Sequence, residues 1–504
     1  MREIETVLPQ TQEHPHTLTI AQYNRRWKPK GWKIIFIGPT ATWREEWGVW
    51  EAIREIVQNA LDETEAYQWG YDDLGLYISD KGRGVSVIDF LLGPPKLKPP
   101  YARGKYGEGM KIGALALVRA GYPVRVETVG RELRIIFLEQ ETDRGPVMSL
   151  AALWKENGLP AGTTWHIINY TGTAFEDRFA VNLPDESVVA TAPSQIEKPK
   201  QRYNQLIQHA FPEGSRIFAR DIYMRTIDSP YSYNLWSFEL APDRYAPADE
   251  AMMWRDAGRV WTHVKDIDHL RVFFQMVADP PLLETRESRL LALSYLGMVP
   301  GTNSEYIDVM RENAETWQKA WDEVFGDDTV LRINAASDPT VRHLGYRSQS
   351  VNYAVQYSLS EVLRTDKSLL KASQEKLREV KVIPDDELAA EEGMYLTMAR
   401  TIVDKLSYGV QGVHAAIIPP ASDRVRTAGL YGKTSRQIFL SPDKLVSGRD
   451  VIDVTVHEVA HFTSQADDGQ PKHYEEISRL AGMVAKYTAE GAFDKYLEDP
   501  RFLW

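Results

Sequence analysis

Glu55-Ile56-Val57-Gln58-Asn59-Ala60-Leu61-Asp62 is the stretch on which the fold turns. Read as a helix, it sets Glu55, Asn59 and Asp62 on one face and leaves Ile53, Ile56, Val57, Ala60 and Leu61 for a core. Three polar groups then converge on one cleft. About twenty residues on, the strand Leu76–Ser79 ends in Asp80-Lys81-Gly82-Arg83-Gly84, a carboxylate beside a turn that glycine permits. A carboxylate so placed can accept a hydrogen bond from an amino group of a planar ligand. Next comes Gly104-Lys105-Tyr106-Gly107-Glu108-Gly109-Met110-Lys111, running into the apolar helix Ile112–Val118. Bare amides at a helix N-terminus suit a phosphate chain, with Lys111 as a further cation.

Composition frames this reading. The 504 residues are 43% hydrophobic and 26% charged, enough for several cores and roughly three or four domains. There is no cysteine, so disulfides and thiolate metal sites are excluded, and a reducing cytoplasm is expected. Met1–Gln12 lacks the apolar core of a signal peptide, and no stretch reaches the ~20 apolar residues of a membrane span. The expectation is a soluble protein with no membrane partner. A net charge of −12 disfavours a nucleic-acid partner.

The chain reads as an α+β multidomain protein. Residues 1–30 form a polar arm, and 31–195 an α+β domain in which apolar runs such as Lys33–Ile37 alternate with helical stretches. The proline-flanked Ser194–Lys200 reads as a linker to a mixed middle domain over 200–360, with a strand at Ile222–Met224 and a helix at 304–324. A helical connector rich in Glu, Lys, Leu and Ala follows over 361–410, and a C-terminal domain over 411–504.

The three N-terminal motifs, in this order, resemble the GHKL (Bergerat-fold) ATPases, which include gyrase B subunits, ninety-kilodalton heat-shock chaperones, MutL and histidine kinases. The resemblance covers about residues 30–195, including Gly162-Thr163-Thr164-Trp165, which looks like the fourth motif. It implies ATP and magnesium as cofactors. Glu55 would polarise the attacking water, Asn59 would hold magnesium, Asp80 would read adenine with Thr163 in support, and Gly104, Gly107 and Gly109 would hinge a short ATP lid. Asp62, Gly82, Gly84 and Lys111 complete the implied nucleotide site. Only a short arm with His14 and His16 precedes the domain, so a histidine kinase is not expected. Pro281-Leu282-Leu283-Glu284-Thr285-Arg286-Glu287 is similar to the chaperones' Pro-Leu-Asn-x-Ser-Arg-Glu stretch, which makes Arg286 the candidate γ-phosphate sensor in a transducer-like middle domain. The family also implies an ATP-dependent homodimer.

The second constellation is His457-Glu458-Val459-Ala460-His461 within a helix expected over Asp453–Gln465. Its two imidazoles, four apart, share a face and can ligate one metal, with Glu458 beside the metal-bound water. Gln437–Pro442, just upstream, reads as an edge strand that could align an extended substrate by strand addition. The following helix, Tyr474–Gly482, is similar to the ligand helix of thermolysin-like gluzincins, which makes Glu475 the third zinc ligand, with His473 or Glu476 as the alternatives. His473 and Tyr474 are candidate oxyanion stabilisers. Arg479 stands where thermolysin has a second-shell Asp.

Together these features lead to an ATP-regulated zinc metalloprotease acting on a protein substrate. The alternative is a chaperone-like or DNA-remodelling ATPase whose zincin domain is a binding module. By analogy at the level of fold, such a fusion suits a bacterial or phage-encoded defence, counter-defence or maturation factor.

Overall fold

The computed structural model describes residues 17–64, 67–90, 108–143, 145–172, 175–194, 202–238, 240–241, 246–283 and 305–504. It is a mixed α/β multidomain protein that divides into two compact units, Met1–Asp256 and Ala257–Trp504. No helix among the described residues is long and apolar enough to cross a membrane.

The first unit opens with β1 (Thr17–Thr19), α1 (Ile20–Arg26), β2 (Lys33–Thr40) and α2 (Val49–Thr64). β3 (Gln68–Asp72), β4 (Gly75–Asp80), α3 (Gly109–Arg119), β5 (Val124–Thr128), β6 (Arg131–Thr142), β7 (Gly145–Lys155) and β8 (Thr163–Ile168) follow. The strands form one sheet in the order β2-β7-β6-β5-β8-β4-β3, with β1 added parallel to β6. Alternation along β6 explains the layering. Leu133, Ile135 and Phe137 join the core that holds Ile53, Val57 and Leu61 of α2 and Leu115 and Val118 of α3, whereas Ile136 and Leu138 join Tyr23 of α1 and Trp32 in a second cluster. Each such side chain, fully buried, contributes roughly 1.5–3 kcal/mol. Helices α2 and α3 meet closely because Gly113 has no side chain: a Cβ there would lie 3.2 Å from Ala52 Cα.

This burial changes the reading of the arm, since the chain is structured from Thr17, anchored by the aromatic pair Tyr23 and Trp32. The expected linker also falls elsewhere. Strands β9 (Val188–Pro193), β10 (Tyr203–Ile207), β11 (Arg216–Ala219), β12 (Ile222–Thr226) and β13 (Ser232–Leu235) form one sheet in the order β12-β11-β13-β10-β9. The proline-flanked stretch thus joins two antiparallel neighbours, β9 and β10, within a single sheet.

Helix α4 (Glu250–Trp261) carries the chain into the second unit. There α5 (Ile267–Val277), β14 (Ala278–Asp279), α6 (Glu305–Glu312), α7 (Ala314–Phe325), β15 (Thr329–Leu331), α8 (Asp338–His343), β16 (Arg347–Val351), α9 (Tyr353–Leu359) and α10 (Asp366–Lys376) surround a three-stranded sheet ordered β14-β16-β15. The helix expected over 304–324 is two helices, α6 and α7, parted at Asn313.

The remainder comprises β17 (Lys381–Val382), α11 (Ala390–Leu406), β18 (Gly412–Ile417), β19 (Gly429–Gly432), β20 (Gln437–Leu440), α12 (Gly448–Ser464), α13 (Pro471–Ala489) and α14 (Asp494–Leu497). The stretch read as a connector is part of this core: Leu396, Ala399, Ile402 and Val403 of α11 pack with Val454 and Val459 of α12 and Leu480 and Val484 of α13. Its sheet runs β17-β18-β20-β19. Gln437–Leu440 is therefore a strand, as expected, but an interior one, and the edge belongs to β19.

Candidate metal centre and nucleotide cleft

Helix α12 starts at Ser447, whose hydroxyl accepts from Asp450 N at 3.1 Å, and it buries Val451, Val454, Val459 and Ala460. That apolar face fixes the phase of the helix, so His457 and His461 turn together toward one edge. The helix ends at Gln465 in a left-handed conformation (φ +53°), its N–H bonded to His461 O, and the chain folds back over the histidines. Ala466 O then lies 2.9 Å from His461 Nδ1. A carbonyl can only accept, so Nδ1 carries the hydrogen and Nε2 is the nitrogen left for a ligand.

The returning loop brings Asp468, and Pro471 at the first turn of α13 brings His473. His457, His461, Asp468 and His473 offer ligand atoms that all lie within 4.8 Å of one another, and this group could hold a metal ion. Asp468 Oδ1 is 3.0 Å from His457 Nε2, 3.4 Å from His461 Nε2 and 3.5 Å from His473 Nε2. With zinc–ligand bonds of about 2.0–2.1 Å in a tetrahedron, neighbouring ligand atoms stand roughly 3.3–3.4 Å apart, so the spacing fits zinc. His473 is the second test of fit. It is fully buried, and neither ring nitrogen has a hydrogen bond among the described residues. A buried polar side chain left so costs free energy unless something else, such as a metal ion, engages it.

Electrostatics agree with a cation position. Burial, and then the charges of His461 and His457, push His473 down to about 4, the neutral form that ligates. His461 is pushed up to about 9 against the cost of burial, chiefly by the Asp468 carboxylate. Asp468 is held far below the usual carboxylate range, despite burial, by His457 and His461. Negative charge is thus concentrated where three imidazoles meet.

Glu475, expected as the third ligand, stands outside this group and is exposed. The reason is helical phase: two positions on an α-helix differ by about 200°, so α13 cannot turn both His473 and Glu475 to the same site. Glu476 is engaged by Arg479 at 2.6 Å, which holds its carboxyl down at about 2. His473 takes the place named as its alternative, and Tyr474, a candidate stabiliser, is exposed. Asp468 is the residue the sequence reading missed. Its only signal is an acidic pair before Gly469 in the short stretch between two histidines.

Glu458 is buried beside the edge strand, and burial pushes its carboxyl up to about 7, opposed by His457 and His461. Gly429 of β19 admits it: a Cβ there would lie 2.8 Å from Glu458 Oε1 and 2.7 Å from Val454 Cγ1. Gly429→Val should therefore displace the carboxylate, lowering kcat of any hydrolysis through Glu458 at least tenfold while zinc content stays at the wild-type level.

In the first unit, Glu55 is buried in α2, with Arg54 Nη2 at 3.4 Å from one carboxylate oxygen and Gln58 Nε2 at 3.4 Å from the other. Asn59 Nδ2 donates to Glu55 O at 2.7 Å, one turn along the same face, and Asp62 is half-buried beyond it. Gly109, opening α3, lies against this carboxylate: a Cβ would stand 1.8 Å from Glu55 Oε2. The first turn of α3 has no side-chain cap, and Lys111 is buried within it. Gly109→Ala should therefore force Glu55 aside and abolish any ATP hydrolysis there, with near-normal far-UV circular dichroism as the control for folding.

Asp80 ends β4 opposite Thr163 of β8. Its Oδ1 accepts from Gly82 N at 2.7 Å, and burial raises its carboxyl. The turn is fixed by glycines. Gly84 has φ +84°, and Gly162 (φ +78°) donates to Gly82 O at 2.9 Å, where a Cβ would strike Asp80 O at 2.1 Å. Beneath them Thr128 Oγ1 accepts from Val85 N at 2.7 Å and lies 3.4 Å from Thr163 Oγ1. The structure thus brings Glu55 to Gly109, and Asp80 to Gly82 and Thr163. Gly104, Gly107 and Arg286 lie outside the described residues.

No protein-family model matches this chain, and no curated protein matches it at a significant level. The class defined by fold and site is a multidomain α/β protein carrying a three-histidine, one-aspartate group able to hold a metal ion.

Proposed function

We propose that the chain is a zinc metallopeptidase whose N-terminal unit binds ATP and regulates it. The observation that carries the proposal is the convergence of His457, His461, His473 and Asp468 beside buried Glu458 at the edge strand β19. Bound there, zinc supplies a water of lowered pKa and polarises a carbonyl. The chain's own residues do the rest. Glu458 Oε1 takes the proton of the attacking water and returns it to the leaving nitrogen, a role for which a pKa near 7 suits a neutral medium. The free edge of β19 can pair with an extended substrate segment, holding it by backbone hydrogen bonds. Burial of Glu458 and His473 keeps bulk water from the base and the ligands.

In the first unit, the donor set suits ATP with magnesium: Asp80 Oδ2 toward an adenine amino group, Asn59 toward the metal, the α3 amides and Lys111 toward phosphates, and Glu55 toward water. Glu55→Ala should keep ATP binding within about threefold while hydrolysis falls by 10²–10⁴, the range of lost general-base catalysis. We further propose that nucleotide state governs proteolysis, and that ATP pairs two copies of the chain as in the family it resembles.

A second reading has one specific observation behind it. Four protein ligands are the pattern of structural zinc sites. On that reading the C-terminal region is a zinc-stabilised binding module of an ATPase. Zinc content and peptide cleavage measured on the same preparation separate the two: one zinc per chain with cleavage supports the peptidase, and one zinc per chain without cleavage under any nucleotide supports the module.

A further inference from the structure

A site closed by four ligands and a buried carboxylate base do opposite things, because a catalytic zinc site keeps one position for water or substrate. Asp468 is the group that closes this one, and it differs from the other three. The histidines stand on helices α12 and α13, with His473 fully buried, whereas Asp468 sits on the short loop between them. Only its Oδ1 faces the histidines. Its Oδ2 lies 3.2 Å from Nε2 of His343, the last residue of α8. The same helix touches the loop again near its start, where a Cβ on Gly469 (φ +82°) would lie 3.0 Å from Pro339 O. On the far side, Asp467 is held by Lys433 Nζ at 2.9 Å, one residue beyond the edge strand β19. The loop is therefore gripped by α8 and by the β19–β20 turn, and not by the helices that carry the histidines.

Resting on the zinc-peptidase reading, we propose that Asp468 is a displaceable fourth ligand, held over the metal position by α8 through His343, so that the conformation described is a resting one. Withdrawal of the loop opens the coordination position that a substrate carbonyl requires. His343 is a positioning residue in this scheme: it acts on the metal only through Asp468.

The test uses the full chain loaded with cobalt(II), whose visible absorption reports coordination, and acetohydroxamate as the probe of an open position. Wild type should bind one cobalt and take acetohydroxamate weakly. Asp468→Ala should still bind one cobalt through three histidines and take acetohydroxamate at least about tenfold more tightly, within the range of effects that metal-site partners exert. Asp468→Asn carries the same expectation should the alanine variant fail to fold. His343→Ala should shift the affinity the same way by less, and His343→Gln, which keeps a donor, should return it toward wild type. Equal or weaker acetohydroxamate binding by both Asp468 variants overturns the proposal while leaving the peptidase reading standing. Failure of wild type to bind one cobalt overturns the metal site itself, and the proposal with it.

Discussion

Glu458→Gln is expected to stop peptide hydrolysis while leaving the metal in place. Glutamine matches the shape of glutamate but cannot accept a proton, so the loss should be that of a general base, roughly 10²–10⁴-fold in kcat. Zinc content should not change, because Glu458 is not among the four residues whose ligand atoms converge. Stability should hold or rise, since the variant removes a carboxylate that burial already disfavours as an anion. Casein cleavage, zinc analysis and thermal melting of the same preparation check all three. A variant that loses zinc together with activity would mean that Glu458 holds the metal rather than the proton.

The second large effect is expected at His473, and it concerns zinc affinity. Outer-shell partners are typically worth 10–100-fold in metal affinity, so loss of a ligand should exceed that. The distinctive part is the metal-free protein. His473 makes no hydrogen bond there among the described residues, so His473→Ala costs the apoprotein packing but no polar partner. Its apo melting temperature should therefore move only by the penalty of a small cavity. The response to zinc should change far more: at a hundredfold excess over Kd, a ligand stabilises by about 2.7 kcal/mol, and this increment should vanish in the variant. Glu475→Ala, by contrast, should leave zinc affinity unchanged, because that side chain is exposed on another face of α13.

What the sequence made legible were features written in local spacing. His457 and His461 share a face because they are four apart on one helix, and Glu55 and Asn59 do so for the same reason. Asp80, Gly82 and Thr163 meet through β4–β8 pairing, which the sequence alone does not show. The third ligand was harder, because the choice between His473 and Glu475 depends on where α13 begins, and so on the Pro471 turn. Asp468 depends on how a loop closes over the histidines, and nothing in its neighbours in sequence announces that closure. Edge and interior are likewise set by distant pairing: β20 reads as a strand from Ile438 and Leu440, but only β18 on its other side makes it interior. Composition misled in two places. The Pro-flanked stretch before β10 has the residues of a domain linker yet joins paired strands, and the Glu- and Lys-rich helix α11 turns its Leu, Ile and Val into the core shared with α12.

The nucleotide half of the account rests on two close approaches that only glycine allows, Gly109 to Glu55 and Gly162 to Asp80. Both are places where a larger residue would close the site, so both are sensitive to single substitutions. The coupling of that half to the metal centre is the central claim. Its most direct measurement is cleavage of casein by the zinc-loaded full chain without nucleotide, with ATP and with a non-hydrolysable ATP analogue, alongside Glu458→Gln. The account predicts cleavage that changes with nucleotide and is absent in the variant. ATP turnover with no cleavage in any state, or cleavage that persists in Glu458→Gln, would contradict it.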